Sequence, residues 1–152
     1  MLVGVISDTH GLLRPEALDA LRGCELIIHA GDVGSPDIVP ALAEVAPVHA
    51  VRGNVDTAPW ARSLPDTLWV QAGAARLYVL HQLAHLDARG LGDQCAAVVY
   101  GHSHQPGSEY RGSVLYLNPG SAGPRRFRLP VTLARVEIEG GALSGYELVT
   151  LA

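Results

Sequence analysis

Apolar residues fall in short runs, each of which ends on a polar loop. "LVGVIS" (2–7), "ELIIHAG" (25–31) and "PVHAVRG" (47–53) have strand length and β-branched character, and they read as buried strands. Two helix patterns lie between them. "RPEALDALRG" places Pro15 in a first turn, Leu18 and Leu21 among its apolar positions, and Gly23 as a stop. "SPDIVPALAEVA" (35–46) opens on Ser35 as an N-cap, with Pro36 next. The order strand, helix, strand, helix, strand predicts parallel strands joined by right-handed crossovers.

The pattern changes near residue 67. "TLWVQAG" (67–73) and "ARLYVLH" (75–81) flank a tight Gly73-Ala74 turn and predict a hairpin. A weak helical segment over 83–91 leads into the strand "CAAVVYG" (95–101). "SVLYLN" (113–118), "VTLARVEIEG" (131–140) and "ALSGYELVTL" (142–151) follow, the last two joined at Gly140-Gly141. "RVEIE" and "YELVTL" alternate as half-exposed antiparallel strands do. This predicts two sheets covered by helices on their outer faces, in one domain over 1–152, without repeats or linkers.

Composition narrows the partners. A chain of 152 residues with 48% hydrophobic content is of single-domain size and has material for a core. The formal charge of −4 argues against a nucleic-acid polymer or an anionic membrane as partner, and all eleven basic residues are arginine. Cys24 and Cys95 have no metal-like or redox-like spacing, which suits a reducing compartment. The first apolar run is too short for a leader peptide, and no apolar run is long enough to span a membrane. The expected location is cytoplasmic.

Chemistry collects where the strands end. After the first comes Asp8-Thr9-His10-Gly11, after the second Gly31-Asp32, after the third Gly53-Asn54-Val55-Asp56. The hairpin strand ends at His81, and the next at Gly101-His102-Ser103-His104. Ligand sites in α/β sheets lie beyond the carboxyl ends of strands. One rim thus receives Asp8, His10, Asp32, Asn54, His81, His102 and His104, donors suited to manganese, iron, zinc or nickel. Each motif alone is an ordinary turn; their joint placement after apolar strands points to a metal site. If the chain stays extended, His102 and His104 share one side of it. His49 reads as a strand residue, and His29 as a group that orients a carboxylate. A His81/His85 zinc pair would need both on one helix, and His81 ends an apolar strand.

"VISDTHG", "IIHAGDV", "VRGNVD", "VVYGHSH" and "LNPGSAGPR" together resemble the calcineurin-like metallophosphoesterases, in particular the compact branch of YfcE-type phosphodiesterases. The resemblance runs from residue 2 to about residue 126. It implies an α/β (α+β) fold, a four-layer αββα sandwich of two packed mixed sheets flanked by helices. It also implies two divalent metal ions, manganese first, with zinc, iron or nickel as alternatives. One ion would take Asp8, His10, Asp32 and His104; the other Asp32, Asn54, His81 and His102, with Asp32 bridging. His102 and His104 would then serve different ions. Asp32, Asn54 and His102 would stand closest to the chemistry, which is attack on phosphorus by a hydroxide held between the ions. Two divalent ions ~3.5–4 Å apart can hold such a hydroxide and bind phosphoryl oxygens. Only two of the seven ligands are anionic, so the site keeps about two positive charges, which suits an anionic phosphate ester.

Three positions depart from the wider family. Ser35 stands where "GDxxD" ends in Asp, Gln82 where Gly usually follows the His, and Val55 where a His assists the leaving group. Loss of a general acid costs ~10²–10⁴ in rate. Asp56 is expected to close the turn. Arg52, Arg125 and Arg126 are candidates for a second phosphate. The leading expectation is a metal-dependent phosphodiesterase acting on a small-molecule phosphate ester, with a homodimer possible. The alternative is an interaction scaffold that resembles the small retromer subunit; filled ligand positions favour catalysis and Val55 favours the scaffold.

Overall fold

The computed structural model describes residues 1–152. One five-stranded sheet is built from β1 (Leu2–Ile6), β2 (Leu26–His29), β3 (Val48–Ala50), β9 (Thr132–Glu139) and β10 (Ala142–Thr150), in the order β10-β9-β1-β2-β3. The first three strands are parallel, as the crossover pattern predicts, and β9 and β10 extend the sheet antiparallel. The second sheet contains β4 (Thr67–Ala72), β5 (Ala75–Leu80), β6 (Cys95–Val99), β7 (Gly107–Arg111) and β8 (Val114–Asn118), in the order β4-β5-β6-β8-β7. Its centre is parallel and both edges are antiparallel.

The two-residue period of each strand sorts side chains between two faces. Val3, Val5, Leu26 and Ile28 meet Val70, Leu77, Val79, Val99 and Leu117 in a core between the sheets. The alternate residues Ile6 and Ile27 face outward to helices α1 (Pro15–Leu21) and α2 (Ile38–Ala43), where they pack with Leu21, Ile38 and Leu42. Gly4 lets α1 lie directly on β1, since a Cβ there would overlap the Leu21 side chain. Both cysteines are buried free thiols.

The outer face of the second sheet is covered differently. Leu80, Val98 and Tyr116 pack under Leu83, Leu86 and Leu91, which come from a 3₁₀ turn at Leu83–His85 with Leu86 as its C-cap and a second at Ala88–Leu91 rather than from one helix over 83–91. Asp87 is extended and its carboxylate accepts the Arg89 N–H, so the chain restarts there. The fourth layer of the sandwich is therefore two short turns. Strand β7 is not legible from hydropathy: "GSEYR" is polar, and β7 joins β8 as a solvent-exposed edge. The 3₁₀ turn at Pro59–Ser63 is likewise not legible from hydropathy. Helix α2 starts after Asp37 with no side-chain cap, and the Ser35 hydroxyl bonds the Asp37 carboxylate rather than the helix backbone. No helix is long and apolar enough to cross a membrane.

Candidate metal centre

The loops after β1, β2, β3, β5 and β6 converge where the two sheets meet. Their donors form two groups, Asp8, His10 and His104, and Asp32, His81 and His102, with ligand atoms in each group within 4.8 Å of one another. Asn54 joins the second group through its Oδ1, 3.1 Å from His102 Nδ1. Asp32 Oδ2 lies between the groups, 3.1 Å from His81 Nε2 and 3.6 Å from His10 Nε2. All seven residues singled out in the sequence are thus brought together. Asp8, Asp32, His81 and His104 are buried, whereas His102 and Asn54 are exposed and form the open side.

The backbone is strained at these positions. Six non-glycine residues have positive φ, and five of them are Asp8 (54°), His10 (47°), Asp32 (54°), His102 (75°) and His104 (63°). Such conformations cost about 1–3 kcal/mol each and persist only when their surroundings enforce them. His102 and His104 are therefore not an extended pair. His104 turns to His10, Nε2 to Nε2 at 3.2 Å, and His102 packs edge-on against His81. Gly101 contributes by its lack of a side chain rather than by an unusual φ: a Cβ there would overlap Ser7 and lie 2.6 Å from Asp8 Oδ2.

Buried polar residues enforce the loops. Asp56 does more than close its own turn: its carboxylate accepts N–H bonds from Val33, Gly34 and Gly53 at 3.0, 3.0 and 2.9 Å, which ties the β2 loop to the β3 loop. His29 orients backbone rather than a carboxylate. Its Nδ1 accepts the Gly31 N–H at 3.1 Å, so Nε2 carries the proton and donates to Thr9 Oγ1 at 3.0 Å; Thr9 in turn donates to Val33 O at 2.8 Å. Asn118 holds the His102–His104 loop through Gly101 O and Ser103 Oγ, and Ser121 donates to Asp8 O. Sequence patterning does not single out Asn118, Ser121 or Thr9 for this work; polar residues directly after buried strands were the available signal.

The electrostatics fit a cation. His81 donates its Nδ1–H to Ala30 O at 2.7 Å, so Nε2 is the ring nitrogen turned to Asp32 Oδ2 and, at 3.9 Å, Asp8 Oδ1. Asp8 Oδ1 and His81 Nε2 are buried without a hydrogen-bond partner. Such ligand atoms in a buried site need a positive charge between them, a proton on the imidazole or a metal ion. Burial raises the Asp8 carboxyl, but His10, His104, the charge of His81 and the Ser7 hydroxyl outweigh it and hold it well below the usual carboxylate range. Burial also raises Asp32, and the His81 contact and Val55 N–H reverse the shift. Burial lowers His81, yet the Asp32 contact and Asp8 charge leave it raised. Two carboxylates, an amide oxygen and four imidazoles suit divalent transition metals.

A cavity of about 400 Å³ opens beside the exposed edge, lined by Arg52, Gly53, Asn54, Asp66, Thr67, Leu80, His81, Gln82 and His85. Arg52 is held there on Asp66 at 2.7 Å. Arg125 and Arg126 are exposed on the loop before β9 and line neither of the cavities that border Asn54. His85 closes a 3₁₀ turn while His81 ends β5, so the two do not form a helical ligand pair. His49 is an exposed residue of β3.

A two-sheet sandwich with a carboxylate–imidazole cluster at its strand ends is the architecture of the metal-dependent phosphoesterases. Residues 1–141 match the calcineurin-like phosphoesterase superfamily domain, and the chain belongs to that family. It is 38% identical over 152 residues to a probable metallophosphoesterase of Methanothermobacter thermautotrophicus, covering 91% of this chain and 88% of that one. It is 32% identical over 145 residues to phosphodiesterase YfcE of Escherichia coli K12, covering 76% of each. In fold it is similar to a novel archaeal phosphodiesterase (TM-score 0.82, 24% identity, 99% and 100% covered) and to Vps29 of Chaetomium thermophilum (TM-score 0.79, 19% identity, 99% and 96% covered).

Proposed function

We propose that the protein is a phosphodiesterase that uses two divalent metal ions, manganese first, to hydrolyse a small-molecule phosphate ester. The observation that carries this reading is that Asp32 Oδ2, a member of the group with His81 and His102, also lies 3.6 Å from His10 Nε2 of the other group. Asp8, His10, Asp32 and His104 would hold one ion, and Asp32, Asn54, His81 and His102 the other. When bound, such a pair supplies a hydroxide nucleophile at neutral pH and neutralises charge on phosphoryl oxygens.

The chain's own residues prepare that chemistry. Asp8 and Asp32 each commit one carboxylate oxygen to backbone N–H groups, of His102 and Val55, and leave the other facing the centre. The Ala30 carbonyl fixes the His81 tautomer so that Nε2 faces inward. Arg52, on the cavity wall next to Asn54, is the arginine best placed to meet a second anionic group on the substrate. Cytoplasmic location and a homodimer go with this reading.

The scaffold alternative draws on the likeness to Vps29 and on Val55 in place of a histidine. Both are separated by bis-p-nitrophenyl phosphate assayed with chelated and Mn²⁺-loaded protein, beside His102→Ala. Metal-dependent turnover that the substitution abolishes supports the enzyme. Wild type matching His102→Ala under every divalent ion rules it out.

A further inference from the structure

Val55 offers nothing to protonate a leaving group, and its N–H is spent on Asp32 Oδ1 at 3.0 Å. Asp56, the next residue, is buried with both oxygens engaged by three backbone N–H groups. A phosphodiester whose leaving group is an alkoxide still needs a proton there. The cavity that opens from Asn54 and His81 contains one further imidazole, His85.

The local fold explains why His85 faces that space. In a 3₁₀ turn residues three apart eclipse one another. Leu83 and Leu86 both pack onto the cluster of Leu80, Leu91, Val98 and Tyr116, which anchors one side of the turn. His85, between them, is left on the cavity wall and is otherwise exposed. The turn is closed by His85 N–H to Gln82 O and Leu86 N–H to Leu83 O, both 3.0 Å, so the ring is carried by an ordered segment. The charged groups sharing the cavity are Arg52, its partner Asp66, and His81.

We infer that His85 is the general acid of this site and that the cavity is the leaving-group subsite. The inference rests on the phosphoesterase reading above. Hydroxide adds to phosphorus and the bond from phosphorus to the leaving oxygen breaks. The electron pair stays on that oxygen, which takes the ring proton of the His85 imidazolium; the neutral imidazole regains a proton from water.

The test is a leaving-group series with the Mn²⁺-loaded protein. Wild type and His85→Gln are assayed on bis-p-nitrophenyl phosphate, diphenyl phosphate and a glycerol phosphodiester, with bound metal counted in each protein. A general acid contributes ~10²–10⁴-fold, so kcat/KM of the variant should fall ~10²-fold or more on the glycerol diester. The loss should be intermediate on diphenyl phosphate and least on the nitrophenyl ester, with metal content unchanged. An equal loss on all three substrates, or loss of metal, overturns the assignment, since either makes His85 a structural or ligating residue. Wild type that cleaves only the nitrophenyl ester also overturns it while leaving the phosphoesterase reading intact. Wild type that cleaves none with any divalent ion removes that reading itself.

Discussion

His81 presents Nε2 to Asp32 Oδ2 at 3.1 Å while its other ring nitrogen, Nδ1, donates its N–H to the Ala30 carbonyl at 2.7 Å. Burial leaves this pair in need of a positive charge between its atoms: with no metal bound a proton on the raised His81 supplies it, and a divalent cation would take that proton's place. We predict that saturating Mn²⁺ raises the melting temperature. At a hundred-fold excess over Kd the linkage is about 2.7 kcal/mol, or roughly 5–10 °C for a chain of this size. Calorimetry of the chelated and reloaded protein measures it, and His81→Ala should remove most of the shift. No shift with any divalent ion would contradict the metal centre.

The metal-free protein should be most stable near pH 6.5. His81 is raised above its ordinary value of 6.5, so its contribution is complete below that pH and is lost as pH rises through the folded value. His29 is pushed down to about 4 by burial, against the charges of Asp8 and Asp56. Its unfolded form binds a proton that the folded form refuses, so stability falls between pH 6.5 and 4, by about 3 kcal/mol. The lowered Asp8 and Asp32 contribute above their ordinary value of 3.8 and lose that contribution only at lower pH. Urea unfolding of chelated protein at pH 5, 6.5 and 8 reads both limbs. A flat acid limb in wild type, or one that His29→Gln leaves unchanged, contradicts the account.

The seven candidate ligands were legible because each follows a buried apolar run, and a parallel sheet brings such ends to one rim. The division of His102 from His104 was not legible from spacing, because it depends on positive φ at both residues, which loop contacts impose. The resemblance supplied that division. Strand β7 escaped because an edge strand needs backbone pairing and no apolar face. The leucine spacing over the second sheet predicts a weak helix, but three leucines can pack equally well from two 3₁₀ turns. The full role of Asp56 is not legible from its own turn, because two of its three partners, Val33 and Gly34, lie in another loop.

Those three bonds make Asp56 testable. Asp56→Ala strands three buried or half-buried N–H groups, and Asp56→Asn places an amide N–H₂ against at least one of them. Unsatisfied groups cost about 1–3 kcal/mol each before relaxation, so the alanine variant should lose roughly 2–4 kcal/mol in urea unfolding and the asparagine variant less. Metal affinity should weaken in parallel, because the same bonds fix the loop that carries Asp32. A variant with lowered stability but unchanged Mn²⁺ titration would show that the loop is held by other contacts.

Gly101 should tolerate no side chain, for steric reasons at the metal centre rather than for backbone freedom. A Cβ at this position would overlap Ser7 and lie 2.6 Å from Asp8 Oδ2, the oxygen that Ser7 and the His102 N–H hold in place. Neither neighbour can yield cheaply, since Ser7 and Asp8 are fully buried. We predict that Gly101→Ala costs roughly 1–3 kcal/mol, the usual range for overpacking, and sharply weakens Mn²⁺ binding by turning the Asp8 carboxylate. Gly107→Ala is the matched control: nothing lies within 4 Å of a Cβ there and its φ is not positive, so stability and metal binding should both stay near wild type. Equal behaviour of the two variants in isothermal titration with Mn²⁺ would separate Gly101 from the placement of Asp8.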